Sequence, residues 1–148
     1  MVEDYIRQGI AKHINKDYFG AIIDFSEALS LSPNDSEVFF LRGVSKYYIE
    51  DYDAAISDFD SALKLNPQYN ECFYYRGNSF YKLEKYENAI ADYDKVLQYE
   101  PDNSRVFFIR GLTKSFLMDL EGSNADFQKA ADLGLPEAKE VIRKNKLG

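Results

Sequence analysis

Tryptophan is absent from this chain, and 148 residues hold one cysteine, one histidine and four prolines. Each scarcity excludes something. The lone Cys72 permits no internal disulfide. His13 stands without a cysteine near it in sequence, so the pair of residue types a zinc site needs is missing. No apolar run approaches the length that spans a membrane. Positive charge is in deficit: 18 Lys and Arg face 25 Asp and Glu, a net charge of −7 that disfavours nucleic acid as a partner. No phosphate-cradling glycine loop, serine elbow or paired acid and base occurs, so neither enzymatic activity nor a cofactor nor a metal is expected. The start, "MVEDYIRQGIAKH", is acidic and amphipathic, unlike a secretory signal. The expectation is a cytoplasmic chain, or one from which a signal has been removed.

What the chain has in excess is Tyr and Phe, 12 and 11 copies. They recur in register. Gly9, Gly43, Gly77 and Gly111 lie 34 apart, each preceded by four residues by an aromatic: Tyr5, Phe39, Phe73, Phe107. Ala21, Ala55, Ala89 and Ser123 follow, then Phe25, Phe59, Tyr93 and Phe127, then Ala28, Ala62, Val96 and Ala130. Pro33, Pro67 and Pro101 close three of the units. Such a fixed period is the mark of stacked units, none of which can bury its apolar face alone.

The pattern of aromatic, glycine, alanine, aromatic, alanine and proline resembles the tetratricopeptide repeat, a 34-residue helix-turn-helix unit. The resemblance covers residues 2 to about 135. It implies an all-α, right-handed solenoid forming a single domain of four units, about 2–35, 36–69, 70–103 and 104–135. First helices are expected at 2–15, 36–49, 70–83 and 104–117, and second helices at 18–31, 52–65, 86–99 and 120–133. Gly43 is expected to face Ala55 and Ala62, with Phe39 and Phe59 filling the space between helix pairs. The last unit departs from the pattern at Ser123 and Leu135, and Gly122 enters its second helix. After it, Pro136 opens a short polar segment that reads as a capping helix over 136–146. Nothing precedes Val2 as a cap, which hints at a longer array.

Arg42, Arg76 and Arg110 each stand directly before a repeat glycine, where the first unit has Gln8. Asp24, Asp58, Asp92 and Asp126 each stand directly before the second-helix aromatic. Two pairings are open, within a unit or between units. The end units favour the latter: Asp24–Arg42, Asp58–Arg76 and Asp92–Arg110, with Asp126 reaching Lys144, since Gln8 has no preceding aspartate to serve. The expectation is a between-unit ladder of Arg–carboxylate pairs. The Asp-x-Asp sequences at Asp51–Asp53, Asp58–Asp60 and Asp92–Asp94 read as structural charge, because residues two apart on a helix do not share a face.

The resemblance also implies a groove, a concave face lined by the first helices, with the more acidic second helices outside. Positions three before, one after and four after the glycine share one helix face. Here they read Ile6, Ile10, His13; Phe40, Val44, Tyr47; Tyr74, Asn78, Tyr81; and Phe108, Leu112, Ser115. Leu41, Tyr75, Arg105 and Ile109 adjoin them. The expectation is a largely apolar, aromatic slot for a peptide or helix of a partner protein, with the tips of Tyr47, Tyr74, Tyr75 and Tyr81 and Asn78 bonding its backbone. Some proteins with this repeat clamp the acidic C-terminal tail of heat-shock chaperones with Lys, Asn and Arg. At those positions this chain has Ile6, Ile10, Leu41, Glu71 and Tyr75, or in the next frame Phe40, Val44, Tyr75, Arg105 and Ile109. Neither frame carries the charges, so such a tail is not an expected ligand. The alternative to a peptide-binding module is a structural one. Its groove would be filled by another copy, making a homo-oligomer, or by a flanking segment of a longer parent chain.

Overall fold

The computed structural model describes residues 1–148. Nine helices follow one another with no strand: α1 (Val2–Ile14), α2 (Tyr18–Leu31), α3 (Ser36–Tyr48), α4 (Tyr52–Leu65), α5 (Glu71–Lys82), α6 (Tyr86–Tyr99), α7 (Ser104–Phe116), α8 (Leu120–Asp132) and α9 (Pro136–Leu147). Each helix packs on its neighbours in the chain, so the array is one-dimensional.

Two local devices set the pairs. Helices α1, α3, α5 and α7 each end on a residue in the left-handed region, Lys16, Glu50, Glu84 and Met118, with φ between 59° and 64°. In the second turn the amide of Glu50 donates to the Tyr47 carbonyl at 3.0 Å and that of Asp51 to the Lys46 carbonyl at 3.0 Å. The other three turns bond alike, and together they satisfy carbonyls the helix end leaves free. The next residue then starts the second helix. Asp17, Asp51 and Asp119 accept the amides of Gly20, Ala54 and Gly122 as N-caps, whereas Lys85 offers no such acceptor to α6. One residue thus closes one helix and opens the next.

Packing within a pair depends on the repeat glycine. A Cβ on Gly9 would stand 2.6 Å from Phe25 Cε1, and one on Gly43 would stand 2.7 Å from Phe59 Cε1 and 3.2 Å from Asp58 Cβ. The nearest side chain to Gly43 is therefore the Phe59 ring, which shares one fully buried face of α4 with Ala55 and Ala62. The alanines bury themselves beside it. Four apolar clusters follow along the stack, centred on Phe25, Phe59, Tyr93 and the α8–α9 junction. In the last, Ala138 of α9 is fully buried against Ala130, Ala131 and Leu135, so the terminal helix covers the end of the array. No helix is long and apolar enough to cross a membrane.

Candidate functional site

The arginines answer to their own units. Arg42 donates from Nε to Asp58 Oδ2 at 2.9 Å and from Nη2 to Asp58 Oδ1 at 2.8 Å. Arg76 grips Asp92 in the same way, and Arg110 grips Asp126. This corrects the expected pairs Asp24–Arg42, Asp58–Arg76 and Asp92–Arg110. The cause is the glycine: it brings the two helices of a unit so close that its neighbour Arg42 reaches Asp58 sideways. Asp24 pairs instead with Lys12 at 2.7 Å, and Lys144 pairs with Glu140 of its own helix at 3.5 Å rather than with Asp126. Lys46 and Lys114 likewise bond Asp58 and Asp126 at 2.8 and 2.9 Å, but at the matching place in the third unit stands Phe80.

A link between units does exist, through other residues. The remaining Nη1 of Arg76 donates to Asp60 at 2.7 Å, that of Arg110 to Asp94 at 2.6 Å, and that of Arg42 to Ser26 Oγ at 3.1 Å. The two carboxylates of Asp58-x-Asp60 therefore serve two different arginines, one in its own unit and one in the next. Each guanidinium also lies over a ring: Arg42 is 5.6 Å from Phe39, Arg76 5.6 Å from Phe73 and Arg110 5.4 Å from Phe107.

The residues expected to line the groove divide by burial. Phe40, Tyr47 and Tyr75 pack against the Phe59 cluster, of which Val44 is a buried member. Ile6 and Leu41 pack on the first cluster, Tyr81 and Ile109 on the third, and Phe108 on the fourth, its ring 5.5 Å from Phe127. Leu112 is half-buried. Ile10, Tyr74 and Arg105 are exposed. The central rings form a connected set: Phe40–Tyr75 at 5.9 Å, Tyr47–Tyr75 at 5.7 Å, Tyr74–Tyr75 at 5.3 Å and Phe40–Tyr69 at 5.0 Å. Burial holds the hydroxyls of Tyr47, Tyr69 and Tyr75 protonated, pushing each up to about 12. Asn78 is not at the surface. It is buried, and its Oδ1 accepts the hydroxyl of Tyr93 at 2.8 Å.

Beside Tyr74 and Tyr75 opens a cavity of about 600 Å³, bounded also by Asn70 and Glu71 and by Tyr99, Glu100 and Asn103 at the far end of the same unit. Sequence reasoning missed the far-end residues because they belong to α6 and the segment after it, outside the first-helix face. It also missed two stacked ring pairs, Tyr18 on Tyr48 and Tyr86 on Phe116, each with centroids 5.0 Å apart. The register carried a signal for these, since both pairs are separated by 30 residues.

Models of the tetratricopeptide repeat match residues 36–69 and 71–103. The chain is a tetratricopeptide repeat protein. No curated protein matches it in sequence. Among solved structures, the 41-to-end portion of MamA from Desulfovibrio magneticus RS-1 is similar, with 24% identity and a TM-score of 0.87, covering 97% of this chain and 85% of that one. Another MamA crystal structure has 22% identity and a TM-score of 0.85, over 93% and 81% of the two chains. The first tetratricopeptide domain of Spaghetti (RPAP3), solved with the HSP90 peptide SRMEEVD, has 23% identity and a TM-score of 0.75, over 79% and 93%. At these identities the likeness is one of fold. The tetratricopeptide repeat is thus present in sequence and in architecture, and its first helices present the face on which the exposed Tyr74 stands.

Proposed function

We propose that the chain is a non-catalytic protein-interaction module that holds a largely apolar peptide or helix of a partner on the face shared by α1, α3, α5 and α7. The supporting observation is the placement of Tyr74. It is 36% exposed, yet its ring rests on Tyr75 and so on a packed set of aromatics. A large ring that is both rigidly backed and accessible presents apolar area at little entropic cost, as the anchors of protein interfaces do. Ile10 extends the accessible apolar surface along the same face of α1. Charged clamp residues are missing from this face, so the ligand differs in kind from the acidic tail seen on the RPAP3 domain.

The test is Tyr74→Ala. Phe108→Ala is a poorer probe, because Phe108 packs on Phe127 and its loss disturbs the core. A peptide selected on the whole chain from a random display library should lose about 2 kcal/mol or more of affinity to Tyr74→Ala if this ring is a hot spot. Titration calorimetry with SRMEEVD should show no binding. Unchanged affinity in a fully helical variant would move the binding surface elsewhere. Concentration-dependent mass in light scattering would favour a face filled by a second copy.

A further inference from the structure

We propose that the cavity beside Tyr74 seats a basic side chain, a lysine or arginine, of the partner segment; this rests on the peptide-binding reading above and names the chemistry of one anchor. The cavity, of about 600 Å³, falls in the range of true ligand sites. It takes a side chain together with part of the backbone that carries it.

Its lining has acceptors in surplus and no cation. Glu71 and Glu100 both border it, and no Lys, Arg or His does. Glu71 makes no ion pair, and Glu100 uses only Oε2, which accepts from Asn103 Nδ2 at 2.6 Å. Asn70 borders it too, but its Oδ1 has almost no accessible surface and does not open into the cavity. The register puts Tyr69 where Asp35 and Asn103 cap α3 and α7, so no acidic or amide cap closes off this end of α5.

The walls supply the rest. Tyr74, Tyr75 and Tyr99 bring three aromatic rings to the same space. A guanidinium or ammonium carries donors alone and is drawn to ring faces, so it meets both glutamates and the three rings. A carboxylate would face two carboxylates. An aliphatic side chain would leave both glutamates without a counter-charge. The chemistry therefore selects a cation with an apolar stem.

The experiment is a nitrogen-15 NMR titration of the whole chain at physiological salt with Nα-acetyl-arginine methylamide. The comparison ligand is Nα-acetyl-citrulline methylamide, which has the same shape without the charge. Saturable shifts gathered on Glu71, Tyr74, Tyr99 and Glu100, at least tenfold weaker for citrulline, would support the proposal. So would loss of that tenfold preference in Glu71→Gln/Glu100→Gln, whose exposed positions leave the fold intact. Equal response to both ligands would overturn it, as would shifts scattered over the acidic faces of α4, α6 and α8. Peptides that bind the face but show no preference for Lys or Arg would end this anchor and leave the peptide reading standing. A cavity that takes arginine on a chain that captures no peptide would do the reverse.

Discussion

The Tyr93 hydroxyl and the Asn78 carbonyl oxygen meet 2.8 Å apart inside the third unit, the one place where a polar bond replaces apolar contact between a first-helix residue and the repeat aromatic. Elsewhere the aromatic is Phe25, Phe59 or Phe127, and the opposite position holds Ile10, Val44 or Leu112. Tyr93 is fully buried, so its hydroxyl depends on this partner. Asn78→Leu alone should destabilise the protein by about 1–3 kcal/mol, because it strands a buried donor. Adding Tyr93→Phe should recover most of that loss. Urea unfolding of the two single variants and the double variant closes the cycle, and equal stability of Asn78→Leu and the double variant would refute the coupling.

Lys85 occupies the position from which Asp17, Asp51 and Asp119 cap their helices. Its only ion pair is a 4.0 Å approach to Asp53 between exposed groups, which is worth little. Lys85→Asp should gain an N-cap and a favourable charge at the α6 terminus, stabilising the chain by about 1 kcal/mol. The thermal midpoint should rise; a midpoint that falls would show that Lys85 has a role the capping geometry does not reveal.

The three bidentate arginines are not equivalent. Asp58 and Asp126 keep a lysine when their arginine is removed, but Asp92 has none, because Phe80 stands at the matching position. Burial pushes the Asp92 carboxyl up from its ordinary value, while the bonds from Arg76 pull it down. Arg76→Met should therefore cost about 3–5 kcal/mol, the range for one partner stripped from a buried pair. Arg42→Met and Arg110→Met should cost clearly less. Phe80→Lys placed in the Arg76→Met background should restore part of the loss. Three equal losses in urea unfolding would mean that the lysines contribute nothing.

His13 is the only histidine, and burial lowers its pKa below the ordinary 6.5. Ser45 donates its hydroxyl to the Leu41 carbonyl at 3.1 Å, so the 2.9 Å contact between His13 Nδ1 and Ser45 Oγ has the ring donating. The folded form therefore takes up a proton later than the unfolded form. Stability is unaffected well above pH 6.5, falls as pH drops from there through the folded-state value, and levels off below it. His13→Gln, which keeps a donor for Ser45, should flatten that segment of the stability profile. A slope between pH 6.5 and 5 that survives the substitution would assign it to carboxylates.

How much of this was legible depended on what repeats. Gly9, Gly43, Gly77 and Gly111 fixed the register, and with it the helix pairs. The partner of Arg42 was misassigned because the choice leaned on Gln8, whereas the residue that serves Asp24 is Lys12, four positions further along α1. A side chain reaching around from the next turn leaves no mark in a comparison of single columns. The left-handed turns were invisible for another reason. Lys16, Glu50, Glu84 and Met118 are ordinary residues, and the bonds that hold them there come from the backbone. Asn78 was legible in principle: it and Tyr93 depart from the pattern in the same unit, and two departures that answer each other point to a contact. The cavity beside Tyr74 was not, since four of its nine lining residues come from α6 and the segment after it, outside the face that periodicity defines.

Ser26 stands where the later units have Asp60 and Asp94. The Arg42–Ser26 bond carries charge on one side only, whereas those to Asp60 and Asp94 join opposite charges, so the first seam has the weakest arginine link of the three. The same seam contains His13, whose charged form in acid is disfavoured by burial. In a one-dimensional stack, stability at each position is set by its neighbours, and opening begins at the weakest end. Amide exchange should accordingly release α1 and α2 first, as a cooperative block, and mild acid should widen the gap between that block and the rest. The chain then carries a detachable end: a portion that can leave the array while the units around Tyr74 remain folded.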